Sequence, residues 1–291
     1  MADYKPASVG AEPPTVTVRR DDSLYSVPLK RLVLLDVVLP PGYQASLRGE
    51  PLPVLFLNDG QDLPRLRMTA VLDSLYRAQV IRPFVLVAIH AGDRIQEYGT
   101  AARADYLNRG SKAGLYTDFV LTELIPYIRK HYHVTADPVQ SVFAGFSLGG
   151  LSAFDITFHH PERFSKAGVF SGSFWWRSKK FDKSYSDDTD RIMHNLVREG
   201  KYHKALKFWF ETGTEDETSD RNNNGIIDAI EDTTDLMDEL VKKGYRYNPA
   251  GGPSDIRYVE VKGGQHNQET WSAIMPDFLK WAFPRSEKGK E

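Results

Sequence analysis

Gly145-Phe146-Ser147-Leu148-Gly149-Gly150 constrains this chain more than any other stretch. An apolar run at 139–144 precedes it, and a segment with helical patterning at 151–159 follows. A strand, a sharp turn and a helix around one serine require small residues on both sides, because the backbone doubles back on itself. A serine held there projects its hydroxyl from the end of a sheet, and the next N–H faces the same space.

The rest of the chain agrees with a sheet covered by helices. Apolar strands at 15–20, 31–40, 52–57, 83–90, 139–144, 164–170, 205–211 and 256–261 alternate with helical segments at 66–78, 116–131, 187–199, 232–243 and 268–283. The first two strands read as antiparallel and the others as a largely parallel sheet with helices on both faces. With 291 residues, 41% of them hydrophobic, the chain can bury one sizeable core. A single domain at 15–284 is therefore expected, between flexible tails at 1–14 and 285–291. No internal repeat interrupts it. The irregular stretches 92–114 and 171–186 read as loops over a site.

Charge and cysteine content exclude several classes. The net charge is -2, from 37 basic and 39 acidic side chains, which gives no footprint for nucleic acid. The chain has no cysteine, so thiol catalysis, disulfides and cysteine–zinc sites are out. No apolar run reaches the length of a membrane span. The visible sequence carries no secretory signal, so it reads as cytoplasmic unless a signal peptide has been removed.

Serine is a weak nucleophile at neutral pH and needs a base, which in turn needs an orienting acid. In folds with this turn the acid follows the serine and the histidine comes last. The strand 205–211 runs into Thr-Gly-Thr-Glu-Asp-Glu, where Asp216 is preferred over Glu215 and Glu217 as the acid. The strand 256–261 runs into Lys-Gly-Gly-Gln-His, which places His266 at the carboxyl edge of the sheet. Ser147, Asp216 and His266 are thus the expected catalytic set. A tetrahedral oxyanion needs two amide donors; Leu148 N–H is one, and Gln61 N–H, from the loop 58–61 after an earlier strand, is the other.

These features resemble the esterases of the enterochelin-esterase and esterase D group, within the α/β-hydrolase fold, over residues 30–283. The likeness rests on Phe-Leu-Asn-Asp-Gly-Gln at 56–61, Asp-Arg-Ile-Gln-Glu-Tyr at 93–98 and Glu-Leu-Ile-Pro-Tyr-Ile at 123–128. It continues through the Ser147 turn, Ser-Gly-Ser-Phe-Trp-Trp at 171–176, and His266 with the segment 271–279. The resemblance implies serine ester hydrolysis through an acyl-enzyme, in a group that acts on siderophore, feruloyl and acetyl-sugar esters and on S-formylglutathione. Relatives that transfer mycolyl groups make acyl transfer the alternative. Fewer than about 30 residues precede the first hydrolase strands, whereas siderophore esterases of this group carry a longer N-terminal domain. That favours a carbohydrate ester or general carboxylic ester over enterochelin itself. No organic cofactor is implied.

Trp175 and Trp176 could wall a catecholate, ferulate or sugar ring. Arg94 lies at the active-site edge, to contact substrate or to pair with Glu97. Lys179, Lys180 and Lys183 read as a solvated basic patch.

A second pattern stands apart. Asp220, Asn222, Asn224, Ile226 (through its carbonyl), Asp228 and Glu231 occupy the ligand positions of a 12-residue EF-hand loop, with Gly225 at the turn. A structural calcium ion is expected there, without an entering helix. Such an ion suits an exported protein. A third reading of the chain is a non-catalytic, calcium-stabilised carbohydrate-binding protein on the same scaffold.

Overall fold

The computed structural model describes residues 15–285. One sheet runs through them, built from β1 (Thr17–Ser26), β2 (Arg31–Leu39), β3 (Val54–Asn58), β4 (Val85–Ile89), β5 (Ser141–Phe146), β6 (Lys166–Phe170), β7 (Lys207–Glu215) and β8 (Ile256–Gln265). Across the sheet they lie in the order β1-β2-β4-β3-β5-β6-β7-β8. The pairs β1–β2 and β2–β4 are antiparallel; every other pair is parallel. This is the mostly parallel sheet that the sequence implies.

The central strands β3, β4 and β5 are buried along their whole length, as strands covered on both faces must be. Side chains alternate between two cores with a period of two. Phe56, Val87, Phe143 and Phe208 face one core, beneath the helices Leu148–His159 and Asp228–Lys243. Leu55, Leu86, Val142 and Trp209 face the other, beneath Met68–Arg77 and Gln268–Ala282.

Several elements depart from the sequence reading for physical reasons. The segment 116–131 is three pieces, Ala113–Asp118, a π-helical Phe119–Leu124, and Ile125–His131. Pro126 has no N–H and crowds the carbonyl four residues back, so the ladder widens there. The helix expected at 187–199 breaks at Arg191, whose extended backbone lets its guanidinium pair with Asp232 and Asp235. The helix expected from 232 begins at Asp228. β7 runs four residues past 211, because Glu215 pairs with Gln265 of β8 across a bulge. The expected tail at 1–14 lies outside the described residues, as does 286–291 of the other.

Gly168 of β6 lies under Phe278, and a Cβ there would sit 2.4 Å from the ring. Gly168→Ala should therefore overpack this face and cost about 1–3 kcal/mol. A thermal melt should show Tm lowered by at least about 2 °C, and an unchanged Tm would contradict this packing.

Candidate active site

The turn after β5 is as tight as its composition demands. Ser147 has φ 55° and ψ -123°, outside the conformations that a serine ordinarily adopts. A Cβ on Gly145 would lie 2.3 Å from the carbonyl oxygen of Gly149, so the chain can double back only because residue 145 is glycine. Ser147 N–H donates to the Phe170 carbonyl at 2.9 Å, and Ser173 N–H donates to the Ser147 carbonyl at 3.2 Å. The Ser147 hydroxyl lies 3.3 Å from that of Ser173. Leu148 opens the helix Leu148–His159, so its N–H has no acceptor within that helix.

The loop after β3 is fastened to this turn. The Asn58 amide donates to the Gly149 carbonyl at 2.8 Å, while Asn58 Oδ1 accepts from the Tyr116 hydroxyl at 2.5 Å. Asp59 sits in the left-handed region, φ 60°, and takes both oxygens to Arg94, at 2.8 and 3.0 Å. The same guanidinium donates to the Phe146 carbonyl at 3.1 Å. Arg94 thus ties the loop that carries Gln61 to the residue before the serine. Burial pushes the Asp59 carboxyl up, and the two hydrogen bonds from Arg94 oppose it. The Gln61 side chain is held between Asp59 Oδ1 at 3.4 Å and the Ala91 N–H at 3.1 Å.

β7 and β8 bring the acid and the histidine together. A Cβ on Gly213 would lie 2.2 Å from the Gly264 carbonyl oxygen and 2.9 Å from Asp216 Oδ1. The two glycines let the strand ends touch, and the turns that carry Asp216 and His266 then face each other. Burial lowers the His266 pKa; the Asp216 carboxylate acts against that shift and Arg94 acts with it. Burial likewise raises Asp216, and the His266 charge opposes the rise. The His266 side chain remains partly exposed to solvent. Its ring packs edge-on to Trp271 at 5.2 Å. Among the described residues no hydrogen bond joins His266 to Ser147 or to Asp216; such contacts are often loose before substrate binds. Among the described residues the Glu215 carboxylate accepts a side-chain hydrogen bond from the Gln265 amide alone, at 3.5 Å, and Glu217 lies near Asp228 and Asp232.

Other expected residues are placed differently. Trp176 is fully buried, between Gly99 and Gly110, and belongs to the core rather than to a substrate wall. Trp175 is half-buried, with the Arg109 guanidinium 4.9 Å from its ring. Arg94 does not pair with Glu97. Glu97 is taken by Arg31 of β2, at 2.6 and 2.7 Å, and the guanidinium of Arg94 is committed to Asp59 and Phe146. Lys179, Lys180 and Lys183 are all exposed. Ser171, Ser173 and Glu211 escaped the sequence reading. The first two lie in the quoted Ser-Gly-Ser-Phe-Trp-Trp motif; the signal for Glu211 is a carboxylate ending the apolar run Phe208-Trp209-Phe210.

In the loop 220–231, Asp220 accepts N–H bonds from Asn224 at 3.1 Å and Gly225 at 2.9 Å. The amides of Asn222 and Asn224 both reach Glu231 Oε1, at 2.7 Å each. Positions 1, 3, 5 and 12 of the loop are therefore neighbours, with the NH2 groups of Asn222 and Asn224 turned to Glu231 and their amide oxygens accepting the N–H of Asn224 and Ile226. Asp228 is engaged by Arg221, through N–H at 2.9 Å and the guanidinium at 3.2 Å. Among the described residues no three acidic or histidine side chains form a ready cluster, so two amides and a carbonyl would have to complete any shell. No described helix is long and apolar enough to cross a membrane.

The sheet order and the tight turn after β5 are those of the α/β-hydrolase-type fold. The Esterase family model matches residues 26–282, and the chain belongs to that family. Among its relatives, an uncharacterized Bacillus subtilis protein, YbbA, is 25% identical over 85% of this chain and 91% of its own length. A Xylanibacter ruminicola endo-1,4-beta-xylanase/feruloyl esterase is 24% identical over 76% of this chain but only 28% of its own. The Escherichia coli iron(III) enterobactin esterase is 33% identical over 44% of this chain and 30% of its own. In fold, the chain is similar to the enterobactin esterase of Shigella flexneri, with TM-score 0.70, 21% identity, and coverage of 97% of this chain and 62% of that one. A ferulic acid esterase gives TM-score 0.67 at 18% identity, covering 93% and 98%.

The positive charge of Arg94 depresses His266, so its removal should raise the imidazole pKa. Because a base must be neutral to act, the acid limb of the kcat/KM profile of Arg94→Gln should move to higher pH. The rate should also fall about tenfold or more as the loop loosens. A limb that stays in place, or moves down, would contradict the assignment.

Proposed function

We propose that this chain is a serine carboxylic ester hydrolase that works through an acyl-enzyme. The observation that carries the reading is the strained Ser147 turn, with Asp216 and His266 facing each other at the neighbouring strand ends. His266 takes the Ser147 proton as the hydroxyl attacks the ester carbonyl. Asp216 orients the imidazole and stabilises its charged form. Leu148 N–H and Gln61 N–H receive the oxyanion, in a site whose loop and turn are held by Arg94. His266 then protonates the leaving alcohol, and a water deprotonated by the same imidazole releases the acid.

The substrate class proposed is an aryl, feruloyl, acetyl-sugar or siderophore-type ester. The feruloyl and enterobactin esterases among the relatives support that range, and Trp175 keeps part of its indole exposed beside Arg109. Ser147→Ala should lower p-nitrophenyl acetate hydrolysis by about 10³-fold or more with the fold intact. Equal rates for the two proteins would leave a binding protein as the better account. With an acceptor alcohol present, hydrolysis should still dominate; ester as the main product would instead make the chain an acyltransferase.

We also propose that Asp220, Asn222, Asn224, the Ile226 carbonyl, Asp228 and Glu231 hold a structural calcium ion. The support is the full set of ligand positions in the sequence and the neighbouring donors in the loop. The ion would stiffen the segment four residues after Asp216. Excess calcium over a chelated sample should then raise Tm, by about 2.7 kcal/mol of stability at a hundredfold excess over Kd. Glu231→Gln should abolish the rise. An identical Tm with calcium and with chelator would rule the ion out.

A further inference from the structure

Behind Asp216 lies a second carboxyl that the reaction outlined above does not use. Glu211 ends the apolar run of β7 and is 1% exposed. Among the described residues the four buried oxygens of Glu211 and Asp216 make no ion pair, and a hydroxyl, that of Ser171, is placed to donate to one of them. The two groups lie close enough for the charge of one to act on the other. One serine hydroxyl can donate to only one of them, and two adjoining buried carboxylates resist ionising together, which favours a single proton kept by the pair.

The neighbours decide where it rests. From the loop after β6, Ser171 stands beside both carboxyls, and its hydroxyl accepts the Trp271 indole N–H at 2.9 Å. From the loop after β8, His266 faces Asp216, and Arg94 acts on His266 from further out. A cation formed on His266 therefore favours ionised Asp216. Among the described residues no basic side chain pairs with Glu211, which is 1% exposed.

We propose that Glu211 is a positioning residue that holds the pair's single proton and, as a neutral acid, keeps Asp216 ionised toward His266. Burial, with the charge of Asp216 added, pushes the Glu211 carboxyl up to about 8, in agreement with this assignment. The proposal rests on the serine hydrolase reading. It goes beyond that reading in predicting a carboxylic acid, rather than a carboxylate, behind the triad at neutral pH. Once Glu211 ionises, a second negative charge faces Asp216 and the arrangement is lost.

The test measures kcat and KM for p-nitrophenyl acetate from about pH 6 to about pH 10. It compares the wild type with Glu211→Gln, Glu211→Leu and Ser147→Ala. The wild type should lose kcat on an alkaline limb near pH 8. Glu211→Gln, a neutral donor of the same shape, should lack that limb and keep kcat within about threefold of the wild type at neutral pH. Glu211→Leu should lose about tenfold or more in kcat with KM little changed. An unchanged alkaline limb in Glu211→Gln, or a Leu variant as active as the Gln variant, would overturn the proposal.

Thermal melts give a reading independent of turnover. A carboxyl whose pKa is raised on folding contributes stability below its unfolded value of 4.5 that is lost by about pH 8, so the wild type should lose more stability than Glu211→Gln across that window. Equal losses would count against the proton. If the Leu variant does not fold, the Gln comparison decides. Full activity in Ser147→Ala would instead sink the serine reading itself, which separates the two failures.

Discussion

The whole site depends on a backbone strain at one residue. Ser147 sits at φ 55° and ψ -123°, a conformation that costs on the order of 1–3 kcal/mol. It persists because its surroundings leave no other path. β5 feeds the turn from the centre of the sheet, the Ser147 N–H is bound to the Phe170 carbonyl of β6, and Gly145 and Gly149 meet at a distance that no side chain allows. The helix Leu148–His159 is buried nearly all round, so it cannot tilt to relax the turn.

Around that turn, long-range polar ties replace local ones. Arg94 joins Asp59 to Phe146, Tyr116 reaches Asn58, and the Gln268 amide donates to Asp62 at 2.9 Å. The loop that follows β3 is thereby fixed both to the serine turn and to the helix that follows His266. Ser171 links Trp271, on that helix, to the region of the buried acids. In a site partly removed from water such contacts gain strength and resist rearrangement. Positions that must agree to within a fraction of an ångström are set by residues far apart in the chain.

That division explains what was legible in the sequence. The serine turn, the alternation of strands and helices and the two sheet faces follow from short-range patterns of period 2 and 3.6, and these appear where expected. The extension of β7 to Glu215 depends on Gln265, fifty residues away, and leaves no local trace. Trp175 and Trp176 look alike in sequence; the glycines at 99 and 110 decide which is enclosed. Arg94 and Glu97 suggest a local pair, but Arg31 of β2 and Asp59 of the loop after β3 compete for them and win through bidentate geometry. Glu211 was visible as an acid in an apolar strand, but its meaning appears only with Asp216 beside it.

The most direct test of the central claim is covalent. The protein would be treated with a fluorophosphonate, digested and mapped by mass spectrometry. A single adduct on Ser147, formed much more slowly after His266→Ala, is the result that this account predicts. No adduct, or one on another residue with Ser147 untouched, would contradict it.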